Sequence, residues 1–173
     1  AVEADGVITA VRQAGGAFSQ SSNEIDDANT SLAKFYALVT SVTQVTRQSP
    51  SVVGTGLRSI FTRLQRPSTD QYLKETHGVS VRDTEGKFIG QFEAIQKVAK
   101  ALETVDKRSE TFAKTIEVIG GARQYGIVVP LITQFAQQQE ILNKSLAEQK
   151  NFLKETELPL NTLVEKFNIL SNT

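Results

Sequence analysis

Apolar residues recur along this chain at steps of three and four, so the hydrophobic pattern predicts helices over most of its length. Over residues 30–47, Leu32, Phe35, Tyr36, Val39 and Val42 share one helical face. Ser49-Pro50 then marks a restart, because serine accepts a free backbone N–H and proline is preset for a first helical turn. The next helix carries Val53, Leu57, Ile60, Phe61 and Leu64 on one stripe. At about 100° per residue, Arg58, Arg63 and Arg66 fall on the opposite side, where they face solvent or a partner. A shorter first helix is expected over residues 6–14, with Asp5 as its N-cap and Gly15-Gly16 as its stop. A polar linker over residues 19–27 follows it.

Arg66-Pro67 ends the arginine-bearing helix, and a short helix is expected over residues 69–76, closed by His77-Gly78. The one strand-like passage comes next. Val79-Ser80-Val81 and Lys87-Phe88-Ile89 flank Asp83-Thr84-Glu85-Gly86, which predicts a small β-hairpin near 79–89 packed on the helices. Helices resume over 91–102 and 107–119, and Gly120-Gly121 breaks the second. From Ala122 onward the chain reads as helical except around Pro159.

A heptad-spaced stripe runs through that last region. It comprises Phe135, Gln139, Leu142, Leu146, Gln149, Leu153, Thr156, Leu160, Leu163, Phe167 and Leu170, of which eight of eleven are apolar, as a coiled-coil seam requires. Ile141, Phe152 and Ile169 widen the apolar surface, so a three- or four-helix bundle suits equally. The pattern leaves self-association and intramolecular packing both open. The expected fold class is therefore mainly α: a helical module over residues 1–134 containing the hairpin, then a heptad-patterned segment over 135–173, broken near Pro159.

Composition narrows the function more than the fold. The 173 residues are 39% hydrophobic with a formal net charge of zero, enough for one sizeable core and without a global field toward nucleic acid or membrane. The longest apolar run, 125–132, is too short to cross a bilayer and contains Pro130. A chain opening Ala1-Val2-Glu3, without methionine, is expected to be an internal piece of a longer protein. Charge is nonetheless uneven. No acid lies between Asp27 and Asp70, a stretch that holds Lys34, Arg47, Arg58, Arg63 and Arg66. That polarity suits docking, although a charge run on a helix is commonly a solvated face.

No catalytic or metal-binding constellation stands out. Cysteine is absent, and His77 is the only histidine, which rules out thiolate and multi-histidine metal sites. His77 reads as a helix-end residue facing solvent or a carbonyl. Asp83 and Glu85 lack the dozen-residue ladder of oxygen ligands a calcium loop needs, so they read as a turn. Gly54-Thr55-Gly56 lacks the lysine and spacing of a phosphate loop and suits a close helix–helix contact. No cofactor is expected. Few aromatics and no tryptophan argue against a stacking platform for single strands.

One resemblance covers roughly residues 5–142. The run Leu38-Val39-Thr40-Ser41-Val42-Thr43-Gln44-Val45-Thr46-Arg47-Gln48-Ser49 is followed by Val53-Gly54-Thr55-Gly56-Leu57-Arg58-Ser59-Ile60-Phe61-Thr62-Arg63-Leu64-Gln65. Then come Gly78-Val79-Ser80-Val81-Arg82-Asp83-Thr84-Glu85-Gly86-Lys87-Phe88, the helix over 92–102, and Gly120-Gly121-Ala122-Arg123-Gln124. In order and spacing this series resembles the core region of tail tape measure proteins of tailed bacteriophages or prophages. Residues 143–173 match only in being helical, and the 19–29 linker is longer and more polar than the family's pattern. The resemblance implies a virion structural protein that sets tail length, nucleates tube assembly, occupies the tail lumen and leaves it ahead of the DNA during ejection. It would be assembled in the host cytoplasm, with tube, tip or baseplate proteins and assembly chaperones as partners. No catalytic residue is carried over, and no small-molecule substrate is implied.

Three readings follow. The first is a non-enzymatic assembly module that binds tail proteins and itself, the latter through Phe135, Leu142, Leu146, Leu153, Leu160, Leu163, Phe167 and Leu170. The second is a peptidoglycan-cleaving domain, limited by the residue inventory to a carboxylate hydrolase. The third is a partner- or DNA-facing surface, transiently engaged, on Arg58, Arg63 and Arg66.

Overall fold

The computed structural model describes residues 4–22 and 26–155. Its elements in chain order are α1 (Ala4–Ala10), a π-helical turn (Val11–Gly15), α2 (Gly16–Gln20), α3 (Ala28–Thr46), α4 (Pro50–Leu64), α5 (Pro67–His77), α6 (Gln91–Leu102), α7 (Glu110–Gly120), α8 (Tyr125–Thr133) and α9 (Phe135–Glu155). Mainly α is thus the fold class. None of the described helices is long and apolar enough to cross a membrane.

Helix starts follow from side-chain caps. Asp27 accepts from the Thr30 N–H at 2.7 Å, Ser49 from Val52 at 3.3 Å with Pro50 at the first helical position, and Ser109 from Phe112 at 3.1 Å. Each satisfies a donor that the first turn leaves without an internal partner. α3 ends on Arg47, held left-handed at φ 56° and ψ 21° while its N–H bonds Thr43. A side chain is strained there, so Arg47→Gly is expected to raise stability by up to about 1 kcal/mol. A urea-unfolding midpoint measures this, and a fall in the midpoint would show that the arginine side chain contributes more than the strain costs.

Two expectations are overturned. Gly15-Gly16 does not stop the first helix: both residues stay right-handed, and the chain passes through the π turn into α2. The reason is tertiary. Ala10, Val11, Ala14 and Phe18 are buried along this rod, which lies across α4, and packing outweighs the glycines' poor helix propensity. The hairpin is also not formed: the described residues contain one isolated bridge, Arg82 with Phe88, and no sheet. Two bonds of a strand pair are present, from the Ile89 N–H to the Val81 carbonyl at 3.0 Å and from the Asp83 N–H to the Lys87 carbonyl at 2.8 Å, but the Val81 N–H that would extend the ladder is taken by Asp70 Oδ1 at 2.8 Å.

α4 lies at the centre. Phe61 meets Phe18 of α2 and Phe35 of α3, with ring centroids 5.3 and 6.4 Å away. Its two glycines admit neighbours on both flanks, as the reading of Gly54-Thr55-Gly56 as a close contact anticipates. A Cβ on Gly54 would stand 2.8 Å from Gln13 Cβ, and one on Gly56 would stand 2.9 Å from Ile127 Cγ1 of α8. α9 lies along α3, and its Leu142 joins the same core as the helices before it.

Candidate functional site

The outer face of α4 is the most distinctive surface. Its inner positions Val53, Leu57, Ile60, Phe61 and Leu64 are buried, which fixes the rotation of the helix. Thr55, Arg58, Ser59, Thr62 and Arg63 therefore turn outward, and with Arg66 they line an open concavity of about 310 Å³. The structure brings all three sequence-predicted arginines to one place.

Each arginine is placed differently. Arg58 is exposed on the middle turn, and Arg66 is exposed where α4 gives way to α5. Arg63 is half-buried, its guanidinium lying over Gly121, where a Cβ would come within 2.8 Å of Nη2. Gly121 takes φ +79°, so both its backbone and its lack of a side chain make room for the arginine. The junction is held by the Thr69 hydroxyl, which donates to the Arg63 carbonyl at 2.7 Å. Among the described residues, none of the three guanidiniums has an ion-pair partner. The acids near other cations are engaged: Asp26 and Glu93 with Lys34, and Asp70 with Lys74. Burial by itself would lower the Lys34 pKa, but its bonds to Asp26 and Glu93 outweigh that and raise it.

Arg82 was not legible as part of this region. Its guanidinium donates to the Gln65 carbonyl at 2.5 Å and to the Gly86 carbonyl at 3.0 Å, which puts a further positive charge beside Arg66. Seventeen residues separate Arg82 from Gln65, and no periodic signal links them.

The other singled-out residues have local roles. His77 is half-buried at the end of α5, and its Nε2 lies 2.8 Å from Thr115 Oγ1. Thr115 donates to the Thr111 carbonyl at 2.8 Å, so its oxygen accepts from both His77 Nε2–H and the Tyr72 hydroxyl. Burial lowers the His77 pKa, which favours this neutral form. Asp83 Oδ1 accepts from the N–H groups of Glu85 and Lys87, closing its own turn. The described residues contain no group of three or more His, Cys, Asp or Glu side chains placed to hold a metal ion.

Along the C-terminal stripe the environment changes. Phe135 packs against the core and Leu142 is buried in it, while Leu146 is 38% exposed. Leu153 lies on α9, and Leu160, Leu163, Phe167 and Leu170 lie outside the described residues, as does the expected break at Pro159. Glutamines join α9 to its neighbours: Gln137 donates to Gln44 at 2.5 Å, and Gln96 donates to Gln139 at 2.7 Å.

A family model described as phage-related minor tail protein matches residues 1–120. No curated protein matches the chain, and no solved structure does.

Proposed function

The chain belongs to the phage-related minor tail protein family, and on that premise we propose that it is a non-enzymatic assembly module of a tail tape measure protein. Family membership makes it a structural component of the phage tail in contact with other tail components. The finer reading is that it helps set tail length, docks on tube, tip or baseplate proteins and chaperones, and self-associates inside the tail lumen.

Geometry supports a docking module over a ruler. A ruler works by length, and a helix extends only about 1.5 Å per residue. Here α1 to α8 fold back around α4 within one core, which shortens the chain instead of extending it. The observation that carries self-association is the change along α9. The stripe enters the core at Phe135 and Leu142 and reaches the surface at Leu146, with Leu153 further along the same helix.

Light scattering on the full chain tests this reading, with a trimer or larger species expected. Leu146→Lys with Leu153→Lys should return a monomer with an unchanged unfolding midpoint, because Leu146 lies at the surface. A wild-type monomer at all concentrations would remove self-association from the reading. A cleared band on a cell-wall zymogram would overturn its non-enzymatic part.

A further inference from the structure

We propose that the outer face of α4 binds the phosphate backbone of duplex nucleic acid without regard to base sequence, through Arg58, Arg63 and Arg66. The face is polar throughout: its six lining residues are three arginines, two threonines and a serine. A protein partner would want an aromatic or aliphatic anchor at its centre, and none of the six supplies one. Guanidiniums and hydroxyls are instead the donor set that holds phosphate oxygens and positions a protein on a duplex. The lining holds no aromatic ring on which successive unpaired bases would stack, which favours duplex over single strand.

Charge and placement support the same ligand. The three cations have no ion-pair partner among the described residues, so a phosphate would not have to displace a carboxylate. Arg63 is already held over Gly121, so less side-chain freedom is lost when it engages. The Ser59 hydroxyl makes no hydrogen bond to the described residues and is available to donate. Arg82, fixed on the Gln65 carbonyl, adds field at the Arg66 end without needing to touch the ligand.

The test is fluorescence anisotropy with the full chain and two labelled 30-base-pair duplexes of unrelated sequence, titrated at several salt concentrations. Both duplexes should bind equally, with log K falling against log salt at a slope of about −2.7, as three phosphate contacts require. Arg58→Gln with Arg66→Gln, both exposed, should weaken binding on the order of tenfold in dilute salt and reduce the slope by about two units. Circular dichroism confirms that this variant stays folded. Polyglutamate bound as tightly as the duplex at equal ionic strength would make the face an acidic-peptide dock and overturn the proposal. A tighter single strand, a variant that binds like the wild type, or no duplex binding in dilute salt would overturn it as well. Self-association plays no part in the argument, so monomeric and oligomeric chains test it equally.

Discussion

Gly54→Ala is expected to destabilise the chain by about 1–3 kcal/mol, the cost of overpacking a closed contact. The expectation runs against local propensity, since alanine is the better helix former by about 1 kcal/mol. Three atoms decide the sign. The new methyl would lie 2.8 Å from Gln13 Cβ, 3.1 Å from Ala10 Cα and 3.2 Å from Gln13 Cγ. A flexible side-chain tip could swing away, but Ala10 Cα and Gln13 Cβ move only with their backbone. The first helical rod would have to lift off α4, loosening Val7, Val11, Ala14 and Phe18 together. Gly16→Ala is the internal control. It lies on the same rod with nothing within 4 Å of a built Cβ, and so should gain up to about 1 kcal/mol. Paired urea titrations read both, and a Gly54→Ala midpoint at or above wild type would show that the crossing tolerates separation.

That pair of glycines also marks what sequence reasoning can reach. The apolar stripe of α4 and the opposed arginines were legible, because a buried helix face repeats at 3.6 residues and Ser49-Pro50 announces where the count begins. Gly54 and Gly56 were legible as a close contact, although their partners on α1, the π turn and α8 were not. Gly15-Gly16 has the local appearance of a helix stop, and only the rod's burial against α4 keeps it helical. The hairpin misreading has the same origin. Residues 79–89 carry alternation and a turn, but Asp70, on another element, takes the Val81 N–H. For the candidate site, the three arginines followed from angle alone. The support of Arg63 by Gly121 and the field from Arg82 come from chain segments far away in sequence. The heptad stripe could not choose between partners, because a helix packing on its own chain and one packing on a copy show the same period. The described part places Phe135 and Leu142 on the chain's own core and Leu146 at the surface.

Asp70→Ala is expected to cost about 3 kcal/mol, because it strands buried donors that a charged acceptor now satisfies. The side chain is 5% exposed, on α5, a helix otherwise reading as polar. Its Oδ1 accepts from the Val81 N–H and the Ser80 hydroxyl, both at 2.8 Å, while Oδ2 lies 3.0 Å from the Lys74 ammonium. Alanine would leave the Val81 N–H without an acceptor and free the loop between α5 and α6 to separate from the helices. Asp70→Asn keeps an acceptor for Val81 but discards the charge, so it should cost less. The gap between the two variants divides the hydrogen-bonding part from the ionic part. Acid should reproduce the ionic part in the wild type. Burial opposes the charged carboxylate, yet Lys74, Val81 and Ser80 outweigh burial and hold its pKa below the ordinary 3.8. A carboxyl with a depressed folded pKa adds stability that is fully present above its unfolded value and is lost as pH falls through the folded one. The urea midpoint of the wild type should therefore decline as pH drops below about 3.8, and that of Asp70→Asn should decline less steeply. Asp27, held low by the Thr30 N–H, is exposed and leaves a smaller residual slope in both. Equal slopes for wild type and Asp70→Asn would mean that Asp70 tethers the loop by shape and hydrogen bonding alone, with no ionic share.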